Sequence, residues 1–398
     1  MLESLRRYIK PQHGMSTCVL PEELVVDILS RLPLKSFCRF KCVCKSWLAF
    51  SSHPYYRQKL PRSPAGLLYR RREHGTFFGS PGTVIHLAKL PPSDEEITHT
   101  TLSYVPCYKY PTRLQDCCNG LLLCYQKFLN REISNAIVCN PATQEWMALP
   151  NTDRGPTISD YKLVLCFDPL WSKQFYVFKF QLSHGASPNI GTSTEIKVFF
   201  SEDSTWSSCL WKTQYAFVGD SIFVNGVLYV KHLWAHKILA LDAPDSCTKW
   251  LDHRIIELPG FQNRPNMCCG RDGCLSQSSG VLCYAKQELD GCAVRFWSLE
   301  GPDVWVVKHR LSMVDVFGRD MLLGTDNRGY WCFEYDIMDV DLEREVVILD
   351  DKTADKIILV STSTGKGSLF QNIPRRFTKL YRSLFYVPYY GKVPALAC

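Results

Sequence analysis

The sequence predicts an α+β multidomain chain of two unequal parts: a small head of three helices, then a long all-β body closed into a propeller of six or seven blades. Three observations carry this. Residues 20–50, LPEELVVDILSRLPLKSFCRFKCVCKSWLAF, place apolar side chains at helical spacing and are cut by Pro33. The rest of the chain reads as short strands divided by tight turns, with glycine-led apolar strands returning at a beat near 54 residues. Aromatic residues make up 13% of the chain, which favours β structure.

At 398 residues the chain exceeds the usual single core, so more than one domain is expected. The expected parts are a flexible extension at 1–18, the helical head at 19–60, a short stiff link at 61–64 (PRSP) and the body at 65–398. No apolar run approaches the ~18 residues a membrane helix needs. The opening stretch, MLESLRRYIKPQHG, has basic residues but no apolar centre, so it is a poor secretory signal. A cytoplasmic or nuclear protein is expected. The 19 cysteines are odd in number and sit largely inside apolar runs such as LLLCY and VLCYA, which points to reduced core thiols. Cys268, Cys269 and Cys274 come nearest to a metal cluster, but no second CxxC or HxxxH half accompanies them. No metal is expected.

The net charge of +7 is uneven. Residues 1–60 hold ten Lys+Arg against four Asp+Glu, whereas the remaining 338 are nearly balanced. An acidic partner for the head follows, or nucleic acid, or a solvated basic face with no partner.

Within the head, Pro21 suits the first turn of a helix, where its missing N–H is not needed. Glu22, Glu23 and Asp27 lie near the positive end of the helix dipole. Leu24, Val25, Ile28, Leu29 and Leu32 form the apolar stripe, and Pro33 ends it. A second helix is expected from Leu34 to about Val43 and a third from Cys44 to Phe50, with Phe37, Phe40, Val43 and Trp47 continuing the spacing. About 40 residues cannot bury this much apolar surface alone. Each exposed Leu, Ile or Phe forgoes ~1.5–3 kcal/mol. A protein partner covering the apolar face is the expected remedy.

The LPEELVVDILSRLP run, Leu34, CVCKSW and HPYYRQKL resemble the F-box over residues 19–60. In the second helix, Cys38-Arg39-Phe40 departs from the small residues and Leu of many members. The resemblance implies docking on the Skp-type adaptor of a cullin–RING ubiquitin ligase, an acidic partner that suits the basic head. It assigns Leu20, Pro21, Leu24, Ile28, Leu32, Pro33, Leu34, Val43, Cys44 and Trp47 to the adaptor-facing set or its support. Leu24, Phe37 and Phe40 equally suit the small core of the head, Trp47 suits either place, and both prolines suit simple helix punctuation.

In the body, the markers are Gly66, Gly120, Gly226, Gly280 and Gly329, with gaps of 54, 106, 54 and 49. The skipped copy falls near residue 173, in FDPLWSKQFYVF. Trp146, Trp206, Trp250 and Trp305 follow a similar beat and suit blade-to-blade packing. Asn-Gly at 119–120 and 225–226 suits hairpin turns. The strand near Leu384–Val387 is placed to pair with the first blade and close the ring, removing exposed sheet edges. VCNPATQEWMALP, CFDPLWSKQFYVF, EIKVFFSEDSTW, VNGVLYV and KILALDAP resemble, in order, the kelch-like F-box-associated domain of plant F-box proteins. That resemblance implies a substrate-recruiting propeller.

No catalytic constellation is legible. TSTGKGS at 362–368 lacks the first glycine and the final Ser/Thr of a phosphate loop and reads as a hairpin turn. His232 and His236 fall on strand and loop, not on one helix face. The acidic stretch Asp339–Glu345 reads as solvated loop or strand edge, and Asp350-Asp351 as a turn. The expected function is a non-catalytic, cofactor-free receptor: the head docks on the ligase and the propeller holds an unknown protein substrate, with no nucleic acid and no membrane. The alternative is a glycan-binding or enzymatic propeller with a helical cap, which requires ionisable groups converging at one mouth of the ring.

Overall fold

The computed structural model describes residues 21, 24, 25, 27 and 28 of the head. It describes the body from 66 onward, apart from 71–84, 90–97, 106–111, 128–133, 151–160, 182–192, 213–218, 233–235, 244–251, 261–272, 372–383 and a few single positions. The chain divides into two compact units, Met1–Ser63 and Pro64–Cys398.

In the first unit Pro21 begins a helical turn. Its carbonyl accepts from Leu24 N at 3.0 Å and Val25 N at 3.1 Å, and residues 24, 25, 27 and 28 are helical. The expected second and third helices lie outside the described residues.

The second unit opens with β1 (Gly66–Arg70), β2 (Ile85–Lys89) and β3 (Thr98–Thr100). A second sheet follows in β4 (Thr112–Cys118), β5 (Leu121–Lys127), β6 (Ser134–Asn140) and β7 (Glu145–Ala148). The third holds β8 (Tyr161–Phe167), β9 (Phe175–Gln181), β10 (Ser193–Phe200) and β11 (Thr205–Lys212). The fourth holds β12 (Ser221–Val224), β13 (Val227–Lys231), β14 (Lys237–Asp242) and β15 (His253–Glu257). The fifth holds β16 (Cys274–Ser278), β17 (Val281–Gln287), β18 (Ala293–Glu300) and β19 (Val304–Ser312). A short helix α1 (Met313–Phe317) and a ribbon, β20 (Leu323–Thr325) with β21 (Trp331–Phe333), come next. The sixth sheet is β22 (Tyr335–Asp341), β23 (Val346–Asp351), β24 (Lys356–Ser361) and β25 (Gly367–Gln371), and β26 (Leu384–Tyr386) ends the order.

Every pairing is antiparallel, and the second to sixth sheets are each four consecutive strands. These five are blades of a β-propeller. Their first strands stand side by side around an axis: β4 by β8, β8 by β12, β12 by β16, β16 by β22, with β26 beside β4. The first sheet is composite, in the order β26-β1-β2-β3, with Gly66 facing Tyr386 and Leu68 facing Leu384. The chain end thus returns to its beginning, as the strand near Leu384 led one to expect.

Core residues lie between sheets. Leu122 and Cys124 pack with Leu68 and Tyr386 on one side of the second sheet, whereas Leu121 and Leu123 pack with Phe167 and Phe175 on the other. That is why LLLCY shows no polar alternation: each face of the strand meets a neighbouring sheet. Phe178 and Leu239 join the third sheet to the fourth, Ile238 and Tyr284 the fourth to the fifth, and Phe296 and Tyr335 the fifth to the sixth.

Trp146, Trp206 and Trp305 each stand second in the outermost strand of a sheet. Trp206 Nε1 donates to Pro150 O at 2.8 Å and Trp305 Nε1 to Glu257 O at 2.9 Å, each reaching the outer edge of the preceding blade. The periodic tryptophans are therefore blade-to-blade staples. Trp250 lies outside the described residues. The ten described cysteines are all free thiols, most of them buried.

Four expectations change. The even beat of six or seven equivalent blades is not what the chain builds: five sheets are consecutive modules, the first is composite, and a two-stranded ribbon is interposed. Gly329 is not a blade marker. It turns that ribbon, and the position equivalent to Gly120, Gly226 and Gly280 is Glu345, at φ 55°, ahead of β23. The insertion of 313–334 shifted the beat. Asp350 and Asp351 belong to β23; the turn comes after them, with Asp351 Oδ1 accepting from Thr353 N and Ala354 N. Asp339 is not a solvated loop residue, since it lies in innermost strand β22 beside Ser276.

Candidate functional site

On the head, Leu24 is 51% exposed and Ile28 47% exposed, one turn apart on the same helical face beside exposed Pro21. Val25, off that line, is partly buried. Two branched aliphatic side chains thus stand in water side by side on a structured turn, an exposed apolar pair. The other members of the expected set, Leu20, Leu32, Pro33, Leu34, Val43, Cys44 and Trp47, lie outside the described residues.

The two ends of the propeller differ. At one end the first and second strands of a blade are joined by two-residue turns at 119–120 and 225–226, and Gly280 stands in the same place ahead of β17. Asn119 Nδ2 donates to Phe167 O at 2.6 Å, Asp168 Oδ2 accepts from Asn225 N at 3.1 Å, and Asn225 Nδ2 donates to Gly280 O at 2.6 Å. Gln277 Nε2 reaches Asn119 Oδ1 at 3.4 Å and completes a loop of hydrogen bonds through four blades. The segment after β26 crosses this same end. Tyr389, Val393 and Leu396 are buried against Leu121, Phe167 and Phe175, and Asn140 Nδ2 donates to Tyr389 O at 2.8 Å. Polar groups here are spent on one another.

The opposite end carries the 22-residue connection from β19 to β22, the longest whose residues are described throughout. Long connections on a rigid frame are where recognition resides.

Ionisable groups at the axis serve the frame. Asp116 Oδ2 accepts from Leu165 N of the next blade at 2.9 Å. Asp339 is deep in the molecule, though part of its surface is exposed. Ser276 Oγ lies 2.6 Å from Asp339 Oδ1 and 2.5 Å from Val340 O, so two acceptors compete for one hydroxyl proton. Burial raises the Asp339 carboxyl to about 6, against hydrogen bonds from Ser276 and Val340 N, and the Asp341 and Asp220 carboxylates add to the rise. Because the folded value exceeds the unfolded one, this group stabilises the fold fully below pH 4 and ceases to do so as pH rises through about 6. Asp339→Asn is therefore expected to exceed the wild type in stability by about 1–2 kcal/mol at pH 8, after allowance for solvent, and to match it at pH 4. Urea melts at both pH values check this; a difference independent of pH refutes it.

Several of the described thiols are poor nucleophiles. Burial pushes Cys117, Cys118 and Cys166 well up and Cys283 up to about 11, and Cys124 is raised first by its hydrogen bond with Cys139 and then by burial. His232 and His236 part company: burial lowers the His232 ring's pKa, and His236 Nδ1 lies 3.2 Å from Lys286 Nζ.

The geometry agrees with the comparisons. The F-box domain family matches residues 18–59, and the family described as F-box protein At3g26010-like, beta-propeller, matches residues 94–322, more than half of the chain. The chain belongs to this F-box β-propeller family. F-box protein At1g47340 of Arabidopsis thaliana is 27% identical over 230 residues, covering 54% of this chain and 48% of the relative. Putative F-box protein At2g16220 of the same plant is 28% identical over 230 residues, covering 54% and 52%. F-box protein At5g49610, also from Arabidopsis thaliana, is 28% identical over 309 residues, covering 74% and 79%. The chain spans about half the length of the first two. Among solved structures, TolB from Acinetobacter baumannii aligns at TM-score 0.38 and 10% identity over 81% of this chain and 70% of that one.

Proposed function

We propose that the chain is the substrate-recognition subunit of an SCF-type cullin–RING ubiquitin ligase. Residues 19–60 dock on a Skp-type adaptor, residues 65–398 recruit a target protein, residues 61–64 link the two, and 1–18 form an extension. Transfer chemistry belongs to other subunits, so the role of this chain is to raise the local concentration of target beside the charged transfer enzyme. The cytoplasm and nucleus are where such a complex works.

The observation that carries this reading is the exposed Leu24–Ile28 face within the stretch matched as F-box. A salt-dependent nucleic-acid site would not need those aliphatic groups. A glycan-binding or enzymatic propeller needs free ionisable groups at a mouth. The described carboxylates near the axis, Asp116, Asp168 and Asp339, hold backbone or serine groups instead.

The test is co-purification. Leu20→Ala with Pro21→Ala is expected to abolish capture of the adaptor while the propeller melts at the wild-type temperature. Capture at the wild-type level would refute the docking assignment.

A further inference from the structure

The connection from β19 to β22 holds a built structure. Ser312 Oγ accepts from Asp315 N at 3.3 Å to start α1, and Gly318, at φ 65°, ends it. Met313 N donates to Cys292 O at 2.8 Å. Arg319 lies over the Phe317 ring and reaches Asp351 Oδ1 at 3.0 Å, while buried Leu322 and Phe333 seat the ribbon beside Gly291. Glu334 N donates to Leu322 O at 3.0 Å and Lys352 N to Glu334 O at 2.8 Å, tying the base to the sixth sheet.

The tip is equally ordered. Asp326 Oδ1 accepts from Arg328 N at 2.8 Å and Tyr330 N at 2.9 Å. Yet the ribbon presents Met321, 71% exposed, Tyr330, 43% exposed, and Trp331, 40% exposed. Three large apolar side chains on a pre-organised hairpin are suited to a partner, because ordering has already been done.

Charge says which partner. The local cations turn inward: Arg295 and Arg310 on Glu288, Arg319 on Glu334 and Asp351, Lys352 on Asp336. Those four cations balance those four carboxylates. Asp290, Asp315, Asp320 and Asp326 form no ion pair among the described residues, and Arg328 is the one cation at the tip. Asp290 and Asp320 flank Cys292, whose thiol lies 3.7 Å from Asp290 O and 3.8 Å from Asp320 O, and Asp320 precedes Met321. At the tip Asp326 and Arg328 offset one another beside Tyr330, whereas Asp290 and Asp320 lie at the base of the ribbon beside Cys292, so the element as a whole carries a negative excess in a chain that is positive overall.

Resting on the receptor reading above, we infer that the 313–334 ribbon is the target-contact element and that it takes an extended Lys/Arg-rich segment of the recruited protein. Tyr330 and Trp331 supply ring faces to its cations, and the aspartates supply counter-charge.

The probe is a short labelled Lys/Arg-rich peptide, with a Glu-substituted peptide as its counterpart, titrated into the full chain held on the adaptor. Binding of the basic peptide is expected, weakened by added salt. Trp331→Ala, and Asp290→Asn with Asp320→Asn, are each expected to weaken it by about tenfold while adaptor capture and melting temperature stay unchanged. The inference fails if the basic peptide does not bind, if these variants bind it as well as wild type, if the acidic peptide binds equally, or if sedimentation shows the ribbon occupied by a second copy. Loss of adaptor capture by the wild type would instead overturn the receptor reading and leave the ribbon result to stand alone.

Discussion

Removing residues 384–398 is expected to unfold the propeller at physiological temperature. The deletion takes β26, the first strand of the composite sheet, and leaves β1 with an open edge. It also removes buried Tyr386, Tyr389, Val393 and Leu396. At ~1.5–3 kcal/mol for each large apolar side chain, the loss is of order 6–12 kcal/mol, comparable with the whole stability of a domain. Circular dichroism melts and limited proteolysis measure the outcome. A truncated chain that keeps a cooperative melt within a few degrees of wild type would show that ring closure contributes little.

Gly120→Ala is expected to be strongly destabilising, though less so than the truncation, and Gly301→Ala mild, although both glycines sit in hairpins at positive φ. Gly120 has φ 92°, and a Cβ there would meet Val387 O at 2.6 Å and Tyr389 N at 2.7 Å. The methyl group would push the terminal segment off the second and third sheets. Gly301 has φ 74°, and a methyl group there would meet nothing within 4 Å. Its substitution meets only the left-handed backbone penalty of about 1 kcal/mol, whereas Gly120→Ala adds displacement of packed backbone, about 3 kcal/mol or more in all. Equal losses for the two variants, read from urea melts, would mean that the terminal segment does not press on the 119–120 turn.

Much of the frame was legible because its signals are local. The Asn-Gly pairs at 119–120 and 225–226 announce tight turns by their tolerance of positive φ, and both occur as such. The tryptophans are legible as packing groups because one large ring with one N–H, repeated per blade, suits a repeated neighbour. TSTGKGS is a turn between β24 and β25 because it lacks the residues a phosphate needs. Gly329 misled for the same reason that Gly120 did not: a glycine before an apolar strand looks alike in a blade and in an inserted ribbon. Asp339 could not be distinguished from its acidic neighbours, because what sets it apart is Ser276 on another strand, 63 positions away. Nothing local marks Met321, Tyr330 and Trp331 as exposed, since exposure depends on what else packs there.

By itself the amino-acid order determined a basic head with an exposed apolar helical turn at its start, a strand-rich body of repeated hairpins, and the return of the last strand to the first. These follow from periodicity and turn chemistry, which act over a few residues. Only the tertiary structure decided that one end of the propeller is sealed by Asn119, Asn225, Gln277 and the Tyr389 segment, that the ribbon at 313–334 stands outside the blade count, and that an aspartate at the axis shares a serine proton. Each of these depends on groups brought together from distant strands, and hydrogen bonding and burial act on distance in space, not on separation along the chain.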